Sequence, residues 1–77
     1  MLTRTSDEWT GKIRVIIRST RRHVPGVLVA AEEQNTIFGR QVKIILSGPE
    51  EKCTEFGNHL VNKGARKCTE REYIFKG

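Results

Sequence analysis

The sequence contains few cysteines and few aromatic residues. Among its 77 residues are two cysteines, one tryptophan, one tyrosine and three phenylalanines. Two cysteines are too few for the disulfide framework of a small secreted domain, so we expect reduced thiols. A chain of this length buries only about 60% of the surface that it exposes when unfolded. The sequence therefore predicts one small domain of modest stability.

Long apolar segments are also missing. No stretch approaches the roughly 18 consecutive apolar residues of a membrane-spanning helix. The opening segment, "MLTRTSDEWTGK", has no apolar run of the signal-peptide type. We therefore expect a cytoplasmic protein with no membrane partner.

Motifs that carry catalysis or metal binding are absent as well. There is no C-x-x-C pair and no G-x-x-x-x-G-K-[ST] loop. Neither His23 nor His59 falls at ligand spacing, and neither thiol has an evident base in the sequence. We expect no enzyme activity, no metal and no cofactor.

Positive charge, by contrast, is abundant. Fourteen Lys and Arg residues stand against nine Asp and Glu, which gives a net charge of +5 and an isoelectric point near 9.7. Such a balance favours a polyanionic partner, which can be RNA, DNA or an acidic protein surface.

The first part of the chain alternates like a β-strand. We expect residues 1–10 to form a flexible tail and residues 11–77 a single α/β domain, with Trp9 covering the core where the two join. From Lys12 onward, alternation predicts a strand with two distinct faces. One face carries Ile13, Val15 and Ile17, and the other carries Arg14, Ile16 and Arg18.

Residues 26–38 allow two interpretations. As a helix, the segment begins after Pro25 and ends at Gly39, which suits a C-cap. Its inner side then carries Val27, Ala30, Ala31, Gln34 and Phe38. The alternative is a three-stranded meander over residues 12–47.

The second half has clearer signals. "QVKIILS" predicts a strand with Val42, Ile44 and Leu46 on one face and Lys43, Ile45 and Ser47 on the other. Ser47 and Glu50 have the spacing of a capping box, which predicts a helix that ends at Gly64. Its apolar stripe runs through Cys53, Phe56, Leu60 and Val61, with Gly57 allowing a close approach. "REYIFK" predicts a last strand.

Together these elements predict an α/β (α+β) fold. We expect a three-stranded sheet with two helices on one face, in the order β-α-β-α-β, with a ferredoxin-like variant as an alternative. The open face of that sheet would carry Arg14, Ile16, Arg18, Lys43 and Ile45.

The tetrapeptide "KCTE" occurs at residues 52–55 and 67–70 and holds both cysteines. One copy lies on the predicted helix and the other at the start of a strand, so the repeat does not mark a duplicated unit. The offset between the two elements opposes a disulfide, which needs Cα atoms within about 7 Å. We interpret both cysteines as structural thiols.

Two local features predict nucleic-acid contacts. The basic segment "RSTRRHVPG" beside a helix start would form an anion site. Tyr73 and Phe75 share one face of the last strand, where they are either core or a platform for stacking bases. The predicted nucleic-acid-binding residues are Lys12, Arg14, Arg18, Arg21, Arg22, His23 and Lys43.

The sequence thus predicts a small basic nucleic-acid-binding module, for RNA before DNA. The alternative is a small regulatory protein-interaction domain that docks on an acidic protein surface or forms a homodimer. That contact would use the open sheet face, with Ile16 and Ile45 at its apolar centre.

Overall fold

The computed structural model describes residues 4–37 and 39–76, with side chains from Trp9 onward. The elements follow one another as two helix–hairpin units. They are α1 (Arg4–His23), β1 (Leu28–Thr36), β2 (Gly39–Ser47), α2 (Glu50–Asn62), β3 (Arg66–Thr69) and β4 (Glu72–Lys76).

The four strands form one antiparallel sheet in the order β1-β2-β4-β3. The β1–β2 hairpin pairs nine residues of each strand without interruption, from Leu28 opposite Ser47 to Thr36 opposite Gly39. Ile44 of β2 faces Tyr73 of β4, so the second hairpin continues the sheet beside the first.

Both helices cover the same face of this sheet, because residues of both belong to one buried cluster. Alternate residues of β2 and β4 supply the floor of that cluster. Its members are Ile13, Val24, Val27, Val42, Ile44, Leu46, Cys53, Phe56, Leu60, Ala65, Tyr73 and Phe75.

The strand predicted from Lys12 is wrong, because this segment belongs to α1. The buried and partly buried residues of the segment recur at helical spacing, as Ile13, Ile17, Thr20 and Val24 do. Val15, which the alternation assigns to the inner face, is 64% exposed. Helix α1 also begins at Arg4, within the segment predicted as a tail, and Trp9 packs against the core.

The preferred helix over residues 26–38 is also wrong. Residues 28–36 form β1, whose pairing with β2 outweighs the helix propensity of "AAEEQ". Gly39 does not cap a helix but begins β2, with a φ of 125° that favours glycine. Phe38 lies outside the described residues. The meander alternative was right for residues 28–47 and wrong for the helical segment before them.

The α+β class is confirmed, whereas the number and order of the elements are not. The sheet has four strands instead of three, and the order is α-β-β-α-β-β instead of β-α-β-α-β. No sequence pattern predicts β3, a four-residue edge strand whose residues are all exposed.

The second helix agrees best with its prediction. Cys53, Phe56, Gly57 and Leu60 are buried, and Gly64 follows the helix with a φ of 108°. The capping box is wrong, since Ser47 ends β2 and Pro49, at the N-cap, makes no side-chain capping bond. Val61 is exposed and does not belong to the stripe.

Candidate nucleic-acid interface

Helix α1 brings six of the seven predicted nucleic-acid-binding residues onto one element. The segment from Lys12 to His23 contains no Asp or Glu. Its cationic and imidazole side chains are all exposed. They are Lys12, Arg14, Arg18, Arg21, Arg22 and His23.

The inner side of α1 is anchored to the sheet. Ile13 is buried, and Ile16 and Ile17 are partly buried against the core. The Thr20 hydroxyl donates a hydrogen bond to the Ile16 carbonyl at 2.7 Å, so this buried polar group is satisfied within the helix. This anchoring fixes which side of the helix points outward.

Polar contacts also tie the N-terminal half of α1 to the first hairpin. The Thr10 hydroxyl donates to the Glu33 carboxylate at 3.2 Å. The same carboxylate accepts from the Arg40 guanidinium, which lies 5.0 Å from the centre of the Trp9 ring. Glu33 is therefore paired with Arg40 and does not neutralise the exposed arginines of α1.

The outer side of α1 has a line of four residues spaced by four, three and four positions, which places them on one face of a helix. This line consists of Gly11, Val15, Arg18 and Arg22. Arg14 and Arg21 lie on one flank of the line, and Lys12, Ser19 and His23 on the other.

The arginines of this surface are not neutralised by neighbouring carboxylates. Among the side chains described, the ion pairs are Arg40 with Glu33 and Lys43 with Glu72, and neither involves α1. The last turn also places Arg21 and Arg22 at the negative end of the helix dipole, where cations stabilise the helix.

The C-terminal end of α1 contacts α2 through two histidines. The rings of His23 and His59 are stacked, with centroids 5.5 Å apart and planes inclined by 9°. His23 is therefore engaged in a contact between the helices, although its residue remains exposed. No group of three or more His, Cys, Asp and Glu that could hold a metal ion occurs within residues 4–37 and 39–76.

The helix start predicted after Pro25 does not exist. The basic segment is the end of α1, and the residues after Gly26 enter β1. A C-terminal helix end presents carbonyl groups instead of free N–H groups, so the anion site predicted from backbone donors is wrong. The basic side chains themselves remain exposed.

The open face of the sheet differs from its prediction. Lys43 and Ile45 lie on it, as predicted, but Arg14, Ile16 and Arg18 belong to α1 on the other side of the sheet. The Lys43 ammonium lies 3.6 Å from the Glu72 carboxylate, so its charge has a partner. Ile16 packs toward the core and cannot form an apolar centre with Ile45.

Tyr73 and Phe75 are core residues, and a base-stacking role for them is wrong. Tyr73 is 2% exposed and Phe75 6%. Burial raises the pKa of the Tyr73 phenol, and the nearby Cys53 and Glu70 raise it further. Their strand directs both rings toward the helices because alternate residues of β4 share a face.

Val15 is a surface residue, although strand alternation predicts it on the inner face. A helical reading of residues 9–24 would have placed it outside, because Ile13, Ile16, Ile17 and Thr20 follow a 3.6-residue period. Ile13, Val15 and Ile17 also fit a strand alternation over this short window, and that alternation places Val15 on the inner face.

Comparison with known proteins yields no matching family model, no matching curated sequence and no matching solved structure. Within the described part of the chain, neither helix has the length and apolar character needed to cross a bilayer. Function is therefore inferred from the residues of this chain.

Proposed function

We propose that this protein binds nucleic acid through the outer surface of helix α1. One observation carries the proposal. Five cationic side chains lie exposed on one helix, and none of them pairs with a carboxylate among the described side chains. They are Lys12, Arg14, Arg18, Arg21 and Arg22.

The electrostatics favour a phosphate backbone as the ligand. A polyanion releases condensed counterions when cationic side chains replace them, so a row of unpaired arginines gains affinity from each phosphate contact. Arginine also donates two parallel hydrogen bonds to a phosphate group. The outer surface of α1 offers these phosphate contacts over residues 12–22, which span about 15 Å of helix.

A charge reversal of two arginines tests the proposal. Arg21→Glu together with Arg22→Glu should abolish binding of a fluorescent mixed-sequence nucleic acid at low salt, measured by anisotropy. Both side chains are exposed, so the far-UV circular dichroism of the double variant should match that of the original protein.

A matched control separates the helix surface from net charge. Arg66→Glu together with Lys76→Glu makes the same change of net charge with two exposed residues of β3 and β4. This control should lose little affinity. Equal loss of affinity in both double variants would show that only net charge matters. Unchanged binding after the charge reversal at Arg21 and Arg22 would contradict the proposal.

A second function, docking of a protein on the open sheet face, is favoured by a different observation. Leu28 is 72% exposed, and Ala30 lies opposite Ile45 in the β1–β2 register. Alternation places all three on the open face. Ile45→Asp should break such docking, or self-association through this face, and leave phosphate binding nearly unchanged; sedimentation velocity and anisotropy measure the two effects.

A further inference from the structure

We propose that the nucleic acid is duplex DNA and that α1 lies in its major groove. This inference rests on the proposed function and adds the form of the ligand. It starts from the exposed Val15, a large apolar side chain at the centre of a basic surface. Phosphate binding alone gives no reason for an apolar residue there.

The outer surface of α1 has the layout of a helix that enters a groove. Its outermost line consists of Gly11, Val15, Arg18 and Arg22, of which Gly11 and Val15 are uncharged. Cationic side chains lie on both flanks, with Arg14 and Arg21 on one and Lys12 on the other. Gly11 and Val15, which lack long side chains, permit close approach at the start of this line, while the flanks can reach the phosphates of two opposite strands.

The dimensions of B-form DNA match this layout. Its major groove is about 12 Å wide and admits one α-helix. In that position Val15 would meet thymine methyl groups and the Ser19 hydroxyl the polar base edges, while Arg18 and Arg22 reach guanine edges or phosphates. Each of these side chains is exposed.

Other nucleic acids fit the surface less well. The major groove of A-form RNA is too deep and narrow for side chains to read. Recognition of single strands depends on exposed aromatic rings, but Phe56, Tyr73 and Phe75 are buried. Trp9, which is partly buried, lies near the Arg40 guanidinium. The described part of the chain therefore lacks an exposed Phe, Tyr or Trp platform for bases.

The test compares three ligands of the same sequence at about 0.15 M salt, a salt concentration that screens exposed charges beyond about 8 Å. They are a DNA duplex, the corresponding RNA duplex and one DNA strand, each measured by anisotropy. We expect the DNA duplex to bind at least about tenfold tighter than the other two, because it alone can accept the helix. Equal or tighter binding of RNA or of the single strand overturns this inference and leaves nucleic-acid binding intact. If none of the three binds even at low salt, both proposals fail.

A variant pair tests the position of Val15. Val15→Glu should weaken duplex binding by about tenfold or more, since it places a carboxylate among base edges. Val61→Glu makes the same substitution at an exposed residue of α2 and should change the affinity much less. Similar losses in the two variants contradict a groove contact at Val15.

A measurement on the unmodified protein avoids any effect of substitution on folding. Methylation of guanine N7 by dimethyl sulfate blocks the major groove and leaves the backbone intact. Duplexes methylated at positions inside the binding site should be depleted from the bound fraction. Equal representation of methylated and unmethylated duplexes in that fraction overturns the inference.

Discussion

The phenol of Tyr73 lies directly against the backbone of Gly57. A Cβ atom added at Gly57 would overlap the Tyr73 hydroxyl oxygen and the ring carbon that carries it. This contact packs β4 closely against α2 and buries the one tyrosine of the chain in the core. It explains why the last strand offers no aromatic platform on the open face.

Replacing Gly57 should destabilise the fold strongly. Gly57→Ala forces the Tyr73 ring to move within a packed core, and we expect a loss of at least about 2 kcal/mol in the free energy of unfolding. Urea denaturation measures this loss. Gly11→Ala is the matched control, because nothing lies within 4 Å of a Cβ at that helical position.

That control should raise the free energy of unfolding by about 0.5 to 1 kcal/mol, as alanine is the better helix former. If Gly57→Ala lowers the free energy of unfolding by less than about 0.5 kcal/mol, the close contact with Tyr73 is contradicted.

Alkaline pH should destabilise the protein through Tyr73. Burial, followed by Cys53 and Glu70, raises the pKa of this phenol in the folded state. The unfolded chain then releases the proton more readily, near its ordinary pKa of about 10. Stability from this group is therefore complete below about pH 10 and is lost as pH rises further.

Absorbance at the tyrosinate band reports this titration directly, since the chain has no other tyrosine. In the folded protein the midpoint should lie above that of the urea-unfolded protein. The free energy of unfolding of Tyr73→Phe should fall less steeply above pH 10 than that of the original protein. Identical titration midpoints in the folded and unfolded protein would contradict a raised pKa for Tyr73.

The two thiols should differ sharply in reactivity. Cys53 is buried, and the Arg71 guanidinium donates to both its sulfur, at 3.6 Å, and the Gly48 carbonyl, at 3.1 Å. Cys68 is exposed on β3, which corrects the expectation that both are structural thiols. Ellman's reagent should label one cysteine quickly in the folded protein and both after denaturation. Rapid labelling of two thiols in the folded protein would contradict the burial of Cys53.

Sequence patterns predicted the second half of the chain better than the first, for physical reasons. Val42, Ile44 and Leu46 recur at every second position of one strand, and Cys53, Phe56 and Leu60 keep helical spacing over two turns. Residues 13–17, by contrast, include four β-branched apolar residues within five positions, which satisfy both periods. Residues 28–36 form a strand only because β2 pairs with all of them. Such a long-range partner is invisible to a local pattern.

The candidate site was predicted as a set of residues but not as a surface. The basic residues from Lys12 to His23 were identified by charge, which does not depend on secondary structure. Their common placement on one helix, the separation of Lys43 from them and the exposure of Val15 all follow from α1 being helical. The strand interpretation therefore identified the basic residues but assigned them to the wrong face.

The most direct test of the central claim is the salt dependence of nucleic-acid binding. For a duplex, the logarithm of the binding constant should fall linearly with the logarithm of salt concentration, with a slope of about −4.5 for five cationic side chains. Arg18→Gln should reduce the size of that slope by about 1, and Arg66→Gln, on the opposite face, should leave it unchanged. A slope near zero, or equal changes in the two variants, would contradict binding through α1.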